Sequence, residues 1–290
     1  MEPAVDFWRK TYGIWSRAEV AFHDDRYMGV IYEVMRLPGT VAEGLTRDQQ
    51  ALIDQRKSFW KHRLSALDGK LRAKQPLDRL DKQIIDKIQA QGHLNDILPG
   101  ASQRLRSQRG IKERFKRGLE ISGRYDQQFR KIFRDYNLPE DLAYLPHVES
   151  SFQASARSHA GAVGMWQFTK GAAEMFMPGK NKPDLRHDPI ASAHGAARYL
   201  KYAYEKLNDW PTAVTSYNHG IGGMQRAQMQ AGPDFARIVE RYNGRLFGFA
   251  SRNYYAQFLA AREIASSPFA YFREGVNFEP PMRTAQYFPR

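Results

Sequence analysis

The chain of 290 residues carries 44 Lys and Arg against 31 Asp and Glu, a formal net charge of +13, and it has no cysteine. A composition that is 42% hydrophobic and 13% aromatic excludes whole-chain disorder, and a chain this long can bury a core without cross-links. The missing thiols exclude disulfides, thiolate metal sites and cysteine nucleophiles, and no run approaches the roughly 20 apolar residues of a membrane-spanning helix.

Helical periodicity dominates from the start. Phe7, Trp8, Ile14 and Trp15 recur at near-helical spacing, and PGTVAEGLTR at 38–47 reads as a turn. Leu80, Ile84, Ile85 and Ile88 mark a helix over 78–91 that Gly92 and the Pro99–Gly100 pair end. Residues 101–135 read as one or two amphipathic helices, with Ile111, Phe115, Leu119 and Ile121 and then Tyr125, Phe129, Ile132 and Phe133 on the apolar side. This stretch holds 11 basic and 4 acidic side chains, net +7, which suits an anionic partner or a solvated helix face. A helix starts at Pro139, and Pro146 should kink it and free the Leu142 carbonyl. Asp188–Pro189 opens a helix through Leu207, with Asp188 as its cap. Trp210–Pro211 opens the next, ending near Gly220, and Gly222–Gly223 reads as a turn. A last helix covers 252–266, before a Pro- and aromatic-rich tail at 268–290. Alternating strand patterns and Asn-Gly or Asp-Gly hairpin turns are scarce.

Chemistry concentrates in YLPHVESSFQASARSHAGAVGMWQF at 144–168, where Glu149 stands among Tyr144, Val148, Phe152, Met165, Trp166 and Phe168. Apolar surroundings desolvate a carboxyl and raise its pKa, the condition for a general acid near neutral pH. No H-x-x-x-H pair, P-loop or G-x-G-x-x-G fingerprint appears, so we expect neither a metal nor a cofactor.

Four short motifs follow in order: Glu149–Ser150, Gly164–Met165–Trp166–Gln167, Ser216–Tyr217–Asn218 and Ser251–Arg252–Asn253–Tyr254–Tyr255. In this order they resemble the lytic murein transglycosylases of the lysozyme-like superfamily. With LPEDLAYLPHVESSF, the resemblance is strongest to the membrane-bound lytic murein transglycosylase D branch. Trp166, Ser216 and His219 depart from the usual Met, Ala and Ala.

The resemblance implies a mainly α fold: a lysozyme-like (goose-type) helical catalytic domain over 101–267, an additional helical N-terminal region over 1–100, and the tail 268–290 packed on the domain. It implies cleavage of the β-1,4 bond between MurNAc and GlcNAc in peptidoglycan glycan strands, with 1,6-anhydro ends. Glu149 would serve as acid and then base. Ser150 would hold the acid or substrate, Gln167 and Asn218 would present amides to the sugars, and Met165 and Trp166 would line the groove. Gly164, with Gly161, would let the backbone approach the glycan, and Tyr217 and Tyr254 would place phenols near Glu149. Core packing is the alternative for Trp166 and both tyrosines. A muramidase using water, a basic nucleic-acid-binding protein and a non-catalytic wall-binding scaffold are the alternative functions; with the motif series present, no nucleic-acid partner is expected. The polar start MEPAVDFWRK lacks an apolar signal core, so a periplasmic protein would need a longer precursor, whose extra segment could supply membrane or wall association. Arg104, Arg106 and Arg109 are expected to contact murein.

Overall fold

The computed structural model describes residues 1–177 and 184–282, and the chain divides into two compact units, Met1–Glu113 and Arg114–Arg290. The first unit holds α1 (Glu2–Gly13), β1 (Glu19–Asp24), β2 (Ile31–Arg36), α2 (Arg47–Arg72), α3 (Arg79–Gln89), the single turns α4 (Leu94–Ile97) and α5 (Ala101–Arg104), and β3 (Leu105–Arg109). Thr46 and Gln49 form a reciprocal capping box on α2, and Asp78 and Asp81 form one on α3, so two orphan N–H donors are satisfied at each helix start.

The three strands form one antiparallel sheet in the order β2-β1-β3, with Val20 opposite both Met35 and Arg109. Val20, Phe22, Tyr32 and Leu105 pack with Ile53, Trp60, Leu64, Ile84 and Ile88. His23, which points to the other face, lies 4.3 Å from the Phe7 ring of α1.

The sheet departs from the sequence expectation of a helical region over 1–100, while α1, α2 and α3 are helices within it. β1 is buried at five consecutive positions, so it shows no apolar-polar alternation. β3 reads LRSQR, a polar run without β-branched residues. The expected 101–135 helices are therefore a turn and a strand before α6, and the first unit runs to Glu113.

Arg104 and Arg109 of this stretch are structural. Arg104 pairs with the fully buried Asp24 at 2.9 Å and also donates to the Ile97 and Pro99 carbonyls. Arg109 donates to the carbonyls of Arg17, Ala42 and Glu43. Farther along, Arg130 pairs with Asp126, Lys131 with Asp135, and Arg134 with Glu140. The net +7 is thus broken into local pairs, which removes the main support for a nucleic-acid reading and for murein contact by Arg104 and Arg109.

The second unit holds α6 (Lys112–Ser122, begun at the junction), α7 (Asp126–Asp135), a 3-10 turn (Glu140–Tyr144), α8 (Leu145–Glu149), α9 (Lys170–Phe176), a second 3-10 turn (Leu185–His187), α10 (Pro189–Leu207), α11 (Trp210–His219), α12 (Ile221–Ala231), α13 (Phe235–Arg241), α14 (Phe249–Ser266) and α15 (Pro268–Tyr271). This is the mainly helical class expected. Its core gathers Phe129, Phe133, Leu145, Phe152, Trp166, Leu200 and Tyr254. Asp188 caps α10 as expected, accepting from the Ile190 and Ala191 N–H groups at 2.9 Å. Gly222 and Gly223 lie inside α12 rather than in a turn; the break falls at Gly220, whose φ is +84°. The tail runs back along α6, with the Glu279 N–H on the Glu120 carbonyl (2.8 Å) and the Met282 N–H on Arg124 (3.1 Å). Residues 283–290 of the expected tail lie outside the described residues.

Removing the partner of a buried charge leaves it uncompensated. We expect Arg104→Ala to destabilise the first unit by about 3 kcal/mol, measured by urea denaturation; a loss below about 0.5 kcal/mol, as for an exposed pair, would show that Asp24 does not depend on it.

Candidate active site

The site forms where a proline-punctuated helix end meets three other segments. Pro146 follows the 3-10 turn and occupies the first turn of α8, where its missing N–H costs nothing. The freed Leu142 carbonyl accepts from the Leu145 N–H. α8 lasts five residues and stops at Glu149. The chain then turns sharply: Ser151 and Phe152 have φ of +52° and +60°, in the left-handed region where non-glycine residues are strained.

Packing holds that strain. Phe152 is buried against Phe129 and His147, with ring centroids 6.0 and 4.5 Å away. The Ser151 carbonyl fits against Gly118 of α6, where an added Cβ would lie 2.9 Å from its oxygen. Ser150 is buried; its hydroxyl donates to the Met165 carbonyl at 2.7 Å and accepts from the Gln153 N–H at 3.2 Å. Ser150 therefore ties the Glu149 helix end to the Gly164–Gln167 segment.

That segment is a tight turn. Gly164 has φ +83°, and a Cβ there would lie 2.0 Å from the Arg186 carbonyl oxygen, so the glycine serves chain packing. Gln167, at φ +51°, donates its side-chain amide to the carbonyls of Ala156 (3.2 Å) and Gly164 (2.8 Å). Arg186, buried and paired with Asp184, reaches the carbonyls of Gly161 and Phe168, both at 3.2 Å. Met165 and Trp166 are buried at 1% and 0% exposure. Trp166 packs 5.0 Å from Phe129 and 5.7 Å from Phe133. Its ring belongs to the core, not to a groove wall, and the same holds for Met165.

Two tyrosines close on Glu149. Tyr254 of α14 is buried and donates its hydroxyl to Glu149 Oε1. Tyr217 of α11 donates to the Trp166 carbonyl at 2.8 Å. Its phenol pKa is driven well above 10, by burial first and then by the Glu149 charge. The Tyr254 phenol is raised by burial, by the Glu149 charge and by its bond to Glu149.

The Glu149 carboxyl is pushed up to about 7. Desolvation is the main cause, opposed by the Tyr254 hydrogen bond, which favours the charged form. Neither is another carboxylate. Asp141 lies 2.8 Å from Arg262, Asp184 pairs with Arg186, Asp188 caps α10 and Glu174 is exposed. Among the described residues no group of three or more His, Cys, Asp or Glu could hold a metal ion. The arrangement can hold a proton at neutral pH and deliver it to an acceptor beside α8.

Asn218 is exposed, and its Oδ1 accepts from the Ser251 hydroxyl at 2.8 Å. Two contributors escaped the sequence reading, and a third, His147, reads there only as structural or solvated. Tyr199 donates to the Ser216 carbonyl at 2.6 Å and packs edge-on to Tyr217 at 5.3 Å. Arg186 clamps the loop, and His147, buried and held neutral by desolvation with a pKa of about 3, stacks on Phe115 at 5.0 Å. No local signal separates a buried His or Arg from a solvated one.

The description "Transglycosylase SLT domain" matches residues 128–236, the segment holding Glu149, the Gly164–Gln167 turn and Tyr217–Asn218. An Alteromonas sp. (strain M-1) protein named for tributyltin chloride resistance is 39% identical over 94 residues, 31% of this chain and 45% of that one. Membrane-bound lytic murein transglycosylase D of Escherichia coli (strain K12) is 32% identical over 93 residues, 31% of this chain and 21% of that one. Among solved structures, an inactive mutant of the lytic transglycosylase Slt from Pseudomonas aeruginosa aligns over 52% of this chain and 24% of its own, with a TM-score of 0.41 and 18% identity. The chain spans less than half the length of the two relatives by sequence.

The raised carboxyl pKa has a stability consequence of fixed sign. A group that holds its proton more tightly when folded adds stability below its unfolded value of 4.5, lost as the pH rises through about 7. We expect Glu149→Gln to match the wild type in thermal melts at pH 4 and to melt higher at pH 8. We also expect the Glu149 carboxyl, followed by 13C NMR, to titrate near pH 7 and to move higher in Tyr254→Phe, which removes the bond favouring the charge. A carboxyl that titrates near 4.5 in both would refute the burial argument.

Proposed function

We propose that this chain is a peptidoglycan lytic transglycosylase of the lysozyme-like kind, which cleaves the β-1,4 bond between MurNAc and GlcNAc and leaves 1,6-anhydro ends. The observation that carries the reading is the desolvated Glu149, poised to titrate near neutrality, with Tyr254 as its hydrogen-bond partner and no second carboxylate acting on it. Most glycosidases set two carboxylates about 5 to 9.5 Å apart. A single acid suits a reaction in which the substrate supplies its own nucleophile.

In the proposed sequence, protonated Glu149 gives its proton to the glycosidic oxygen as the bond to C1 breaks, releasing the GlcNAc 4-hydroxyl. The Glu149 carboxylate then takes the proton of the MurNAc C6 hydroxyl while that oxygen bonds to C1. The acid is regenerated, and no water enters the balance. Tyr254 stabilises the carboxylate between the two steps. Ser150 and the Gly164–Gln167 turn act as positioning residues, since their polar groups are spent on the backbone. Met165 and Trp166 pack in the core behind them, and Asn218, exposed beside Tyr217, would offer its amide to a sugar.

The names of the relatives support a cell-envelope location and a murein substrate. Among the described residues no helix is long and apolar enough to cross a membrane.

The test is digestion of purified murein sacculi followed by mass spectrometry of the fragments. Anhydro ends are one water lighter than reducing ends, so a product ladder of reducing ends would replace this reading with a muramidase. Glu149→Gln is expected to lower turnover at least about 100-fold while sacculus binding persists, because the amide keeps the shape without the acidic proton. Wild-type turnover is expected to fall above about pH 7, as the acid loses its proton.

A further inference from the structure

His219 follows the Tyr217–Asn218 pair and closes α11. It differs from the other histidines of the second unit in how its ring is held. Gly223, one turn along in α12, faces the ring, and a Cβ there would lie 2.5 Å from His219 Cδ2 and 2.7 Å from Nε2. The helix therefore carries a glycine where the imidazole needs the space. Phe247 stands edge-on at 5.1 Å, and Tyr242 at 6.3 Å. This seat aims Nδ1 at the Ser251 hydroxyl, 3.4 Å away, and Ser251 in turn donates to Asn218 Oδ1 at 2.8 Å.

A serine hydroxyl has one proton and can accept from other donors. Because Ser251 spends its proton on Asn218, the contact with His219 requires a proton on Nδ1. Desolvation, with a smaller effect from Arg226 and an opposing hydrogen bond to the Leu246 backbone, holds the His219 pKa below its ordinary value, so the ring is neutral near pH 7 while its buried Nε2 has no hydrogen-bond partner among the described residues. The Nδ1 proton is then shared between the Leu246 backbone and the Ser251 hydroxyl, and the chain runs from imidazole N–H to hydroxyl to amide oxygen. With Oδ1 held inward, the Asn218 Nδ2 group faces solvent, and it donates to no described residue.

We propose that His219 is a positioning residue that acts through Ser251 to lock the Asn218 carboxamide with its N–H donors outward, making this edge of the site a reader of acceptor oxygens on an N-acetylated sugar. The inference rests on the proposed function in that Asn218 faces the glycan. An unlocked carboxamide flips between two near-equivalent orientations and presents its oxygen half the time; a locked one presents a donor throughout. The acetamido carbonyl of an amino sugar suits a fixed donor, and a hydroxyl of a sugar without the acetyl group gains less from it.

Two measurements on the full chain separate this idea from the function it rests on. The first is 15N NMR of the histidine rings, which needs no activity: His219 is expected in the Nδ1–H tautomer, and an Nε2–H tautomer overturns the relay whatever the enzyme does. The second uses kinetics on murein glycan strands with their N-acetyl groups intact or removed. His219→Ala is expected to raise KM about 3- to 10-fold, the range of one hydrogen bond, with kcat within about twofold. His219→Asn, whose amide N–H takes the place of Nδ1–H, should restore KM. Ser251→Ala should reproduce the KM change with the ring still seated, and N-deacetylated strands should show no difference among the variants. In an Asn218→Ala background, His219→Ala should add nothing. A kcat loss without a KM change, equal effects on both strands, or additive effects with Asn218→Ala would overturn the proposal. Absence of wild-type turnover would defeat the proposed function, and the tautomer would still decide whether the relay exists.

Discussion

The second unit depends on holding one carboxyl group, Glu149, partly withdrawn from water against a packed core. Burying an acid costs free energy unless it stays protonated or finds a partner, and Glu149 does both in part. Its carboxyl rises to about 7, and Tyr254 offers a donor when it ionises. The surrounding features serve that compromise. Pro146 ends one short helix and opens the next, so that Glu149 falls at a helix end. The left-handed pair Ser151–Phe152 turns the chain away at once, which leaves the carboxyl lying against the core. Gly118, Ser150, Gly164 and Arg186 then hold the turn from different elements. None touches the acid, yet each removes a way for the loop to relax and admit solvent.

The same view reinterprets the charge. A net of +13 invites a search for one polyanion-binding face. In the structure the densest basic stretch is spent locally, on a buried aspartate, on carbonyl groups and on neighbouring acids along the helices. Pairs at helical spacing on an exposed surface contribute little stability, but they lower the field that a run of like charges would present. The pair between Arg104 and Asp24 is different in kind, because the aspartate is fully buried and would be left uncompensated without its partner.

How much of this was legible in the sequence follows from range. Elements set by local signals were readable: Asp188–Pro189 opening α10, Trp210–Pro211 opening α11, and the stop at Gly220. The sheet was not, because β1 is covered on both faces and β3 is a polar strand whose partners lie some eighty residues away in sequence. At the site, the four motifs named the segments that meet, and Tyr254 does reach Glu149. What they could not give is direction. Trp166 and Met165 stand beside Gln167 in one motif, yet a backbone turn sends both into the core and leaves the glutamine to tie the loop. Tyr199 and Arg186 act through backbone carbonyls, contacts that carry no sequence pattern at all.

On the proposed chemistry, partial burial and a single acid are one requirement. A group that must first give a proton and then take one within a turnover works best when neither form is strongly preferred, so its pKa belongs near the working pH. Burial alone would carry Glu149 past that point, because nothing would favour the carboxylate. Tyr254 supplies the opposing pull without introducing a second charge that could act as a nucleophile. The packing that lifts the acid covers only part of Glu149, so it tunes the proton without sealing the site. The choice between an intramolecular ring closure and hydrolysis is then a matter of which oxygen reaches C1 first, and a C6 hydroxyl of the same sugar has the advantage of proximity.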